Sequence, residues 1–279
     1  MGIASTIDRA RWRLRNRRRF VPALALEPRL AILVDGMRRE GVVITQIETV
    51  LGDRDLCERA AVRARKLFER PRDRAEARAG SKETFKTKLA AGSFDADDPF
   101  VQIALHPRVL AVANGYLRLR STLRALELWL TEPTPGPAIQ TQLWHRDGDD
   151  LLNVKLFVYF SDVTRAAGPF TYAPRTHPLG DRRELPEHDA EWRSTDEQLA
   201  RVVPGDEWLV CEGLPGTAVF ADTCGYHKQL KPTTDERLML VAHYVSGTPY
   251  VPHALELQGI DDAALTADQY VAVFDRARS

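Results

Sequence analysis

Cysteine is scarce: Cys57, Cys211 and Cys224 are the three in 279 residues, and no two form a C-x-x-C pair. That excludes a disulfide framework and points to a reducing compartment. Long apolar runs are also missing. Nothing approaches the ~20 residues of a membrane span, and no apolar core follows the Arg-rich start (Arg9, Arg11, Arg13, Arg15, Arg17, Arg18, Arg19) to make it a secretory leader. A cytoplasmic protein is expected, with the Arg cluster on a solvated N-terminal helix. An excess of either charge is lacking too, since 39 Lys and Arg balance 39 Asp and Glu. This argues against a surface devoted to nucleic acid or anionic membrane and leaves small molecules or proteins as partners. No internal repeat or low-complexity tract occurs.

What is present changes character near residue 120. Before it, helical periodicity dominates: 28–41 ends at Gly41, 53–69 buries Leu56, Ala60, Ala64, Leu67 and Phe68, and 107–116 ends at Asn114-Gly115. A short β-rich run at 42–44 interrupts them. The charge-dense 71–80 is expected to be exposed, and 81–88 to be a loop or strand near the mouth of a site. Asp95, Asp97 and Asp98 lack the glycine and terminal Glu of a calcium loop and read as solvated. After residue 120, short runs alternate apolar and polar residues with turns between them, at 125–130, 139–144, 154–160, 168–174, 208–211, 217–221 and 237–246. The reading is an α+β chain with a mainly β core, a helical layer on an antiparallel sandwich or barrel. The polar excursion at 179–206, with a helix capped by Ser194 and Glu197, reads as a lid-like insert, with decoration as the alternative.

The chemistry centres on His145 and Asp147, which lie two residues apart after the run 139–144 and before the apolar strand 154–160. Residues i and i+2 of an extended chain share a face, so both side chains can reach one metal ion. On 154–160, Asn153, Lys155, Phe157 and Tyr159 alternate with Val154, Leu156, Val158 and Phe160. A lysine on an otherwise buried strand must face water, an anion or a polar cavity, which makes the Lys155 face the candidate pocket wall. Further along, the strand 217–221 runs through Asp222-Thr223-Cys224-Gly225-Tyr226 to His227, and Arg237 opens the next strand ten residues later. Two imidazoles and a carboxylate on one face of iron(II) leave three positions free, as in non-haem oxygenases. An Arg beyond the last ligand can hold the remote carboxylate of a chelating 2-oxo acid. His177 and His243 read as structural histidines, and His106, His188 and His253 as exposed ones.

With W-H-R-D at 144–147, K-L-F-V-Y-F-S-D-V at 155–163, A-G-P-F-T-Y-A-P-R-T-H at 167–177, D-T-C-G-Y-H at 222–227 and Arg237, the chain resembles the phytanoyl-CoA dioxygenase-like family of iron(II)/2-oxoglutarate oxygenases over about 100–246. The resemblance implies a double-stranded β-helix, iron held by His145, Asp147 and His227, and 2-oxoglutarate anchored by Arg237, with O2 as the oxidant. The expected organisation is one domain over 1–279: about 1–118 as helical support, about 119–250 as the core and 251–279 as an extension. The family's usual P-G-S-H is here Pro174-Arg175-Thr176-His177. Related halogenases carry a small residue at the Asp147 position, so an oxidised rather than a halogenated product is expected.

Lys155, Asn153 and Tyr159 are candidates for co-substrate contacts, and Gln142, Trp144, Phe157 and Arg175 for substrate contacts. The expected reaction oxidises an unactivated C–H bond of a small molecule, of the kind met in secondary metabolism. Two other readings use the same residues. One is a zinc-dependent hydrolase in which the triad activates water; the other is a non-catalytic β-sandwich binding module. Arg237 has an evident task only in the oxygenase.

Overall fold

The computed structural model describes residues 6–21, 25–69, 86–90, 94–251, 255 and 257–275. The expected exposed segment at 71–80, residues 81–85 of the segment expected near the mouth, His253 and parts of the C-terminal extension lie outside them.

The first half is helical, as its periodicity requires. Helix α1 covers Thr6–Arg15, α2 Pro28–Glu40, α3 Ile47–Leu51, α4 Arg54–Leu67, α5 Pro99–Ala104 and α6 Pro107–Leu117. Their ends follow from local chemistry. Asp53 accepts a bond from the Leu56 amide at 3.0 Å to cap α4, and Asp98 accepts one from Phe100 to cap α5. Gly41 closes α2 in the left-handed region at φ 85°. One end is displaced from expectation, since α6 continues through Asn114-Gly115 to Leu117. The Asn114 carboxamide is not at a helix stop; it accepts bonds from the Ser121 amide and hydroxyl, each at 2.8 Å, and so fixes the turn into the first long strand.

Among the described residues, nine strands follow the order β1 (Val42–Gln46), β2 (Lys86–Ala90), β3 (Thr122–Thr131), β4 (Val154–Tyr159), β5 (Phe170–Tyr172), β6 (Leu209–Val210), β7 (Thr217–Ala221), β8 (His227–Gln229) and β9 (Arg237–Val245). Six form an antiparallel sheet in the order β1-β7-β4-β9-β3-β2, and three form a smaller one, β6-β5-β8. The two sheets face each other as a double-stranded β-helix. The alternation read in the sequence sorts the large sheet's residues between two cores. On the outer face Leu126, Leu128, Leu156, Val158, Phe220 and Leu240 pack with helix residues such as Phe100, Val109 and Leu110. On the inner face Trp129, Phe157, Tyr159, Val219, Met239 and Val241 pack with Phe170 and Tyr172 of the small sheet. Full burial of one such side chain stabilises by roughly 1.5–3 kcal/mol.

The expected strand at 139–144 is replaced by a 3-10 turn at Gln140–Gln142, with Gln140 at φ 52°. Only from Trp144 does the chain pair, with Ser194 and then with His227. The alternation of polar and apolar residues there is a property of a packed turn, because the Gln142 carboxamide folds back to accept from the Ile139 amide at 3.1 Å. In the excursion at 179–206 the helix α7 (Asp196–Ala200) is capped by Thr195 and Gln198, one residue beyond the expected pair. Ser194 is instead committed to backbone pairing with Trp144. A last helix, α8 (Ala267–Phe274), docks back through Gln269, whose amide donates to the Leu105 carbonyl at 3.0 Å.

Candidate active site

The His145 and His227 segments lie directly opposite each other. Each backbone amide donates to the other residue's carbonyl at 3.0 Å, and the Asp147 amide donates to the Thr223 carbonyl at 2.8 Å. This antiparallel pairing brings residues 82 positions apart to one point. His145 Nε2 lies 3.9 Å from Asp147 Oδ1, and His227 Nε2 lies 3.8 Å from Oδ2. All three ligand atoms fall within 4.8 Å of one another.

Both imidazoles are set as ligands by their second nitrogen. Nδ1 of His145 meets the Leu143 carbonyl at 2.9 Å, and Nδ1 of His227 meets the Gly225 carbonyl at 3.0 Å. A carbonyl oxygen has no proton to give, so Nδ1 donates in each ring and the Nε2 lone pair is left for a metal. Burial keeps the rings neutral: it lowers the His145 pKa, and burial together with His145 lowers that of His227 to about 3. Burial alone would raise the Asp147 carboxyl, yet the Lys155 ammonium outweighs it and holds the group well below its ordinary range. Two neutral imidazole nitrogens and an ionised carboxylate on one face make a donor set that fits divalent iron with positions to spare.

The turn carrying His227 is fixed from below. Asn153 Oδ1 accepts from the Thr223 amide at 2.9 Å and hydroxyl at 3.0 Å. Asp222, pushed up to about 6 by burial, accepts from the Tyr116 hydroxyl at 2.6 Å and the Cys224 amide at 3.0 Å. A Cβ on Gly225 would lie 2.0 Å from the Tyr172 hydroxyl, which itself donates to the Asp222 carbonyl. Any side chain there would push the turn, and with it His227, out of place.

Lys155, expected at the co-substrate, donates to Asp147 Oδ2 at 2.6 Å. Across the sheet it pairs in register with His243. Arg124 sits on an irregularity of β3 and holds Asp149 at 3.2 Å, while Asp149 lies 4.0 Å from His243 Nδ1. Arg124 Nε and His243 Nε2 are buried and make no hydrogen bond. A polar wall therefore adjoins the ligands. Phe157 stands beside them, its ring 4.6 Å from that of Phe170, which lies 5.5 Å from that of His227. The Tyr159 hydroxyl donates to the Cys211 carbonyl at 2.9 Å.

At the other end of the inner face lies Arg237, fully buried. Its Nη2 donates to Thr131 Oγ1 at 3.4 Å, whereas Nε and Nη1 have no partner. Burial lowers its pKa to about 10, which still leaves it charged at neutral pH. Such a cation is costly without an anion. Lys86 of β2 stands in the same row, because Thr131 of β3 pairs with Lys86 on one side and Arg237 on the other. Lys86 is buried, with Nζ 4.0 Å from the Trp129 ring centroid and 3.5 Å from Thr141 Oγ1. The sequence places this lysine in a loop or strand; the signal for its burial is the alternation of Lys86 and Lys88 about Thr87.

Three expected residues do not join this set. Trp144 faces away from the ligands, buried edge-on against Trp208 at 4.8 Å between centroids. Gln142 lines a surface hollow of about 800 Å³ with Lys228 and Asp196. Arg175 turns to Asp181, with guanidinium contacts of 2.7 and 2.8 Å. It has φ 67°, the left-handed geometry that suits the glycine expected there. Among the other histidines, His177 and His243 are buried and His188 is exposed, while His106 is half-buried and caps α6.

The family model for Phytanoyl-CoA dioxygenase (PhyH) matches residues 37–237. Among solved structures, the epimerase SnoN in complex with Fe3+, alpha ketoglutarate and nogalamycin RO is 20% identical, with a TM-score of 0.55 over 84% of this chain and 91% of that one. AviO1 from Streptomyces viridochromogenes Tue57 is 16% identical, with a TM-score of 0.56 over 83% and 100%. EctD from S. alaskensis with 2-oxoglutarate and 5-hydroxyectoine is 18% identical, with a TM-score of 0.54 over 81% and 77%. These likenesses describe the fold. No curated protein matches the chain.

Proposed function

Because the chain belongs to the phytanoyl-CoA dioxygenase family, we propose that it is an iron(II)- and 2-oxoglutarate-dependent dioxygenase that oxidises a C–H bond of a small molecule. The observation that carries this reading is the pairing of two features on one inner face: a three-ligand cluster near one end and a buried guanidinium without an anion at the other. His145, Asp147 and His227 would hold the iron, and Arg237 the remote carboxylate of 2-oxoglutarate, with Lys86 beside it. When bound, the metal and the oxo acid supply the oxidising power from O2, releasing succinate and carbon dioxide. The chain's own part is to bind, orient and exclude water. Phe157, Phe170, Trp129, Met239 and Val241 make the inner face apolar, so that the Arg237 charge acts at low screening.

The wall of Arg124, Asp149 and His243 offers polar groups to a substrate, in keeping with a small natural-product scaffold such as the nogalamycin bound by SnoN. The zinc hydrolase reading leaves Arg237 without a task. Residues 1–279 are taken as one catalytic domain, since helices and large sheet share one apolar cluster. A cytoplasmic location rests on three unpaired thiols; no described helix is long and apolar enough to cross a membrane.

The test is an anaerobic titration of metal-free protein with iron(II) and then 2-oxoglutarate, followed by visible absorption, with His145→Ala as control. A charge-transfer band in the wild type that is absent from the control supports the proposal. Iron binding without the band, or a preference for zinc, would favour the hydrolase.

A further inference from the structure

The two histidine-bearing segments are joined a second time, on the side away from the ligands. Neighbours along an extended chain face opposite ways, so Trp144, just before His145, and Lys228, just after His227, both project behind the site. There they converge on one carboxylate. Asp196 Oδ1 accepts from Trp144 Nε1 at 2.7 Å and also from Lys228 Nζ. The Lys228 ammonium lies 5.0 Å from the Trp144 ring centroid and 5.7 Å from that of Trp208, within the range of cation–π attraction. Lys228 is only 4% exposed, and Asp196 and the two indoles are its partners there. Ser194, two residues before Asp196, is locked to Trp144 by reciprocal backbone bonds of 2.9 and 3.0 Å.

We infer that Asp196 is a positioning residue for the metal centre, tying the His145 and His227 segments together from behind and so fixing the angle between the two imidazoles. The excursion at 179–206 then serves as a brace on the small sheet. Three observations support this over a lid. Its helix α7 begins at the shared carboxylate, Leu199 and Val203 pack with Trp144 and Tyr226, and the side chains it engages adjoin the ligands in sequence while facing the opposite way. Arg237 opens β9, on the large sheet, whereas Asp196, Trp144 and Lys228 gather around the small sheet. Loss of the brace should therefore disturb metal geometry and leave the oxo-acid anchor alone.

This inference rests on the metal-centre reading above, and the experiment separates the two. Full-length wild type, Asp196→Ala, Asp196→Asn and Lys228→Met are titrated anaerobically with iron(II). Each is also loaded with cobalt(II) for its visible ligand-field spectrum and, at saturating metal, titrated with 2-oxoglutarate. Asp196→Ala should weaken iron binding about 10-fold, at the lower end of what outer-shell partners contribute, and shift the cobalt spectrum, with 2-oxoglutarate affinity unchanged. Asp196→Asn keeps an acceptor for Trp144 and should fall between. Unchanged metal affinity and spectrum in Asp196→Ala, whatever its melting temperature, would overturn the brace. Should that variant fail to fold, Lys228→Met, which keeps the space between the indoles filled, decides by the same two readings. Wild type that binds no metal sinks the metal centre itself.

Discussion

The two faces of β4 and β9 are made of alternate residues of the same strands, yet they differ in kind. On the outer face Leu156, Val158, Leu240 and Ala242 meet the helices through apolar contact alone. On the inner face Arg237 and His243 are buried, each with a nitrogen that makes no hydrogen bond, and the half-buried Lys155 is held by Asp147. Burial of that kind does not favour folding. The outer face supplies the stability that lets the inner face hold groups in states suited to ligands.

The comparison breaks hardest at the ligands. His227→Ala should weaken iron binding by more than about 100-fold, beyond the range ascribed to outer partners, while the melting temperature of metal-free protein changes little; calorimetric titration beside thermal unfolding checks both. On the other face, Leu240→Ala should cost about 2–5 kcal/mol of stability, read by urea unfolding. The fraction that stays folded should bind iron and 2-oxoglutarate as before. If Leu240→Ala shifted those affinities as much as a ligand variant does, the two faces would not be separable.

Arg237→Met sharpens the contrast from the inner side. It should weaken 2-oxoglutarate roughly 10- to 100-fold, as expected for lost hydrogen bonds to a charged group. Iron affinity should hold, and the melting temperature should stay or rise, because an unpaired buried charge has been replaced by a side chain of similar length. A marked fall in stability would mean that Arg237 is a structural residue.

The smallest effect is acid sensitivity at His177, where the small sheet meets α2. Its Nε2 donates to the Arg38 carbonyl at 3.2 Å, and burial lowers its pKa to about 4. The unfolded chain, titrating near 6.5, takes the proton first, so this stability is present above pH 6.5 and lost as pH falls toward 4. Between pH 7 and 5 the loss is about 2 kcal/mol by linkage. His177→Gln should flatten that part of the stability profile; an unchanged slope in the variant would remove His177 as its source.

Much of the architecture was legible. Strict alternation placed Lys155, Phe157 and Tyr159 on one face of β4 and Val154, Leu156 and Val158 on the other, because period two is a property of the strand itself. The helix stop at Gly41 was equally local. The stretch 139–144 misled for the same reason. It alternates, but the backbone of Gln140 lies in the left-handed region and the Gln142 carboxamide closes a turn, neither of which a period can express.

By itself the sequence determined that His145 and Asp147 share a face, since a spacing of two is local, while His227 and Arg237 joined them through the family resemblance. Only the tertiary structure decided how their neighbours are spent. Lys155 goes to Asp147, Lys86 enters the row of Arg237, and Trp144 and Lys228 share Asp196. The reason is that each of these contacts depends on the register or packing between segments apart in the chain. Register is set by the cores on either side of the sheet, which no single segment contains.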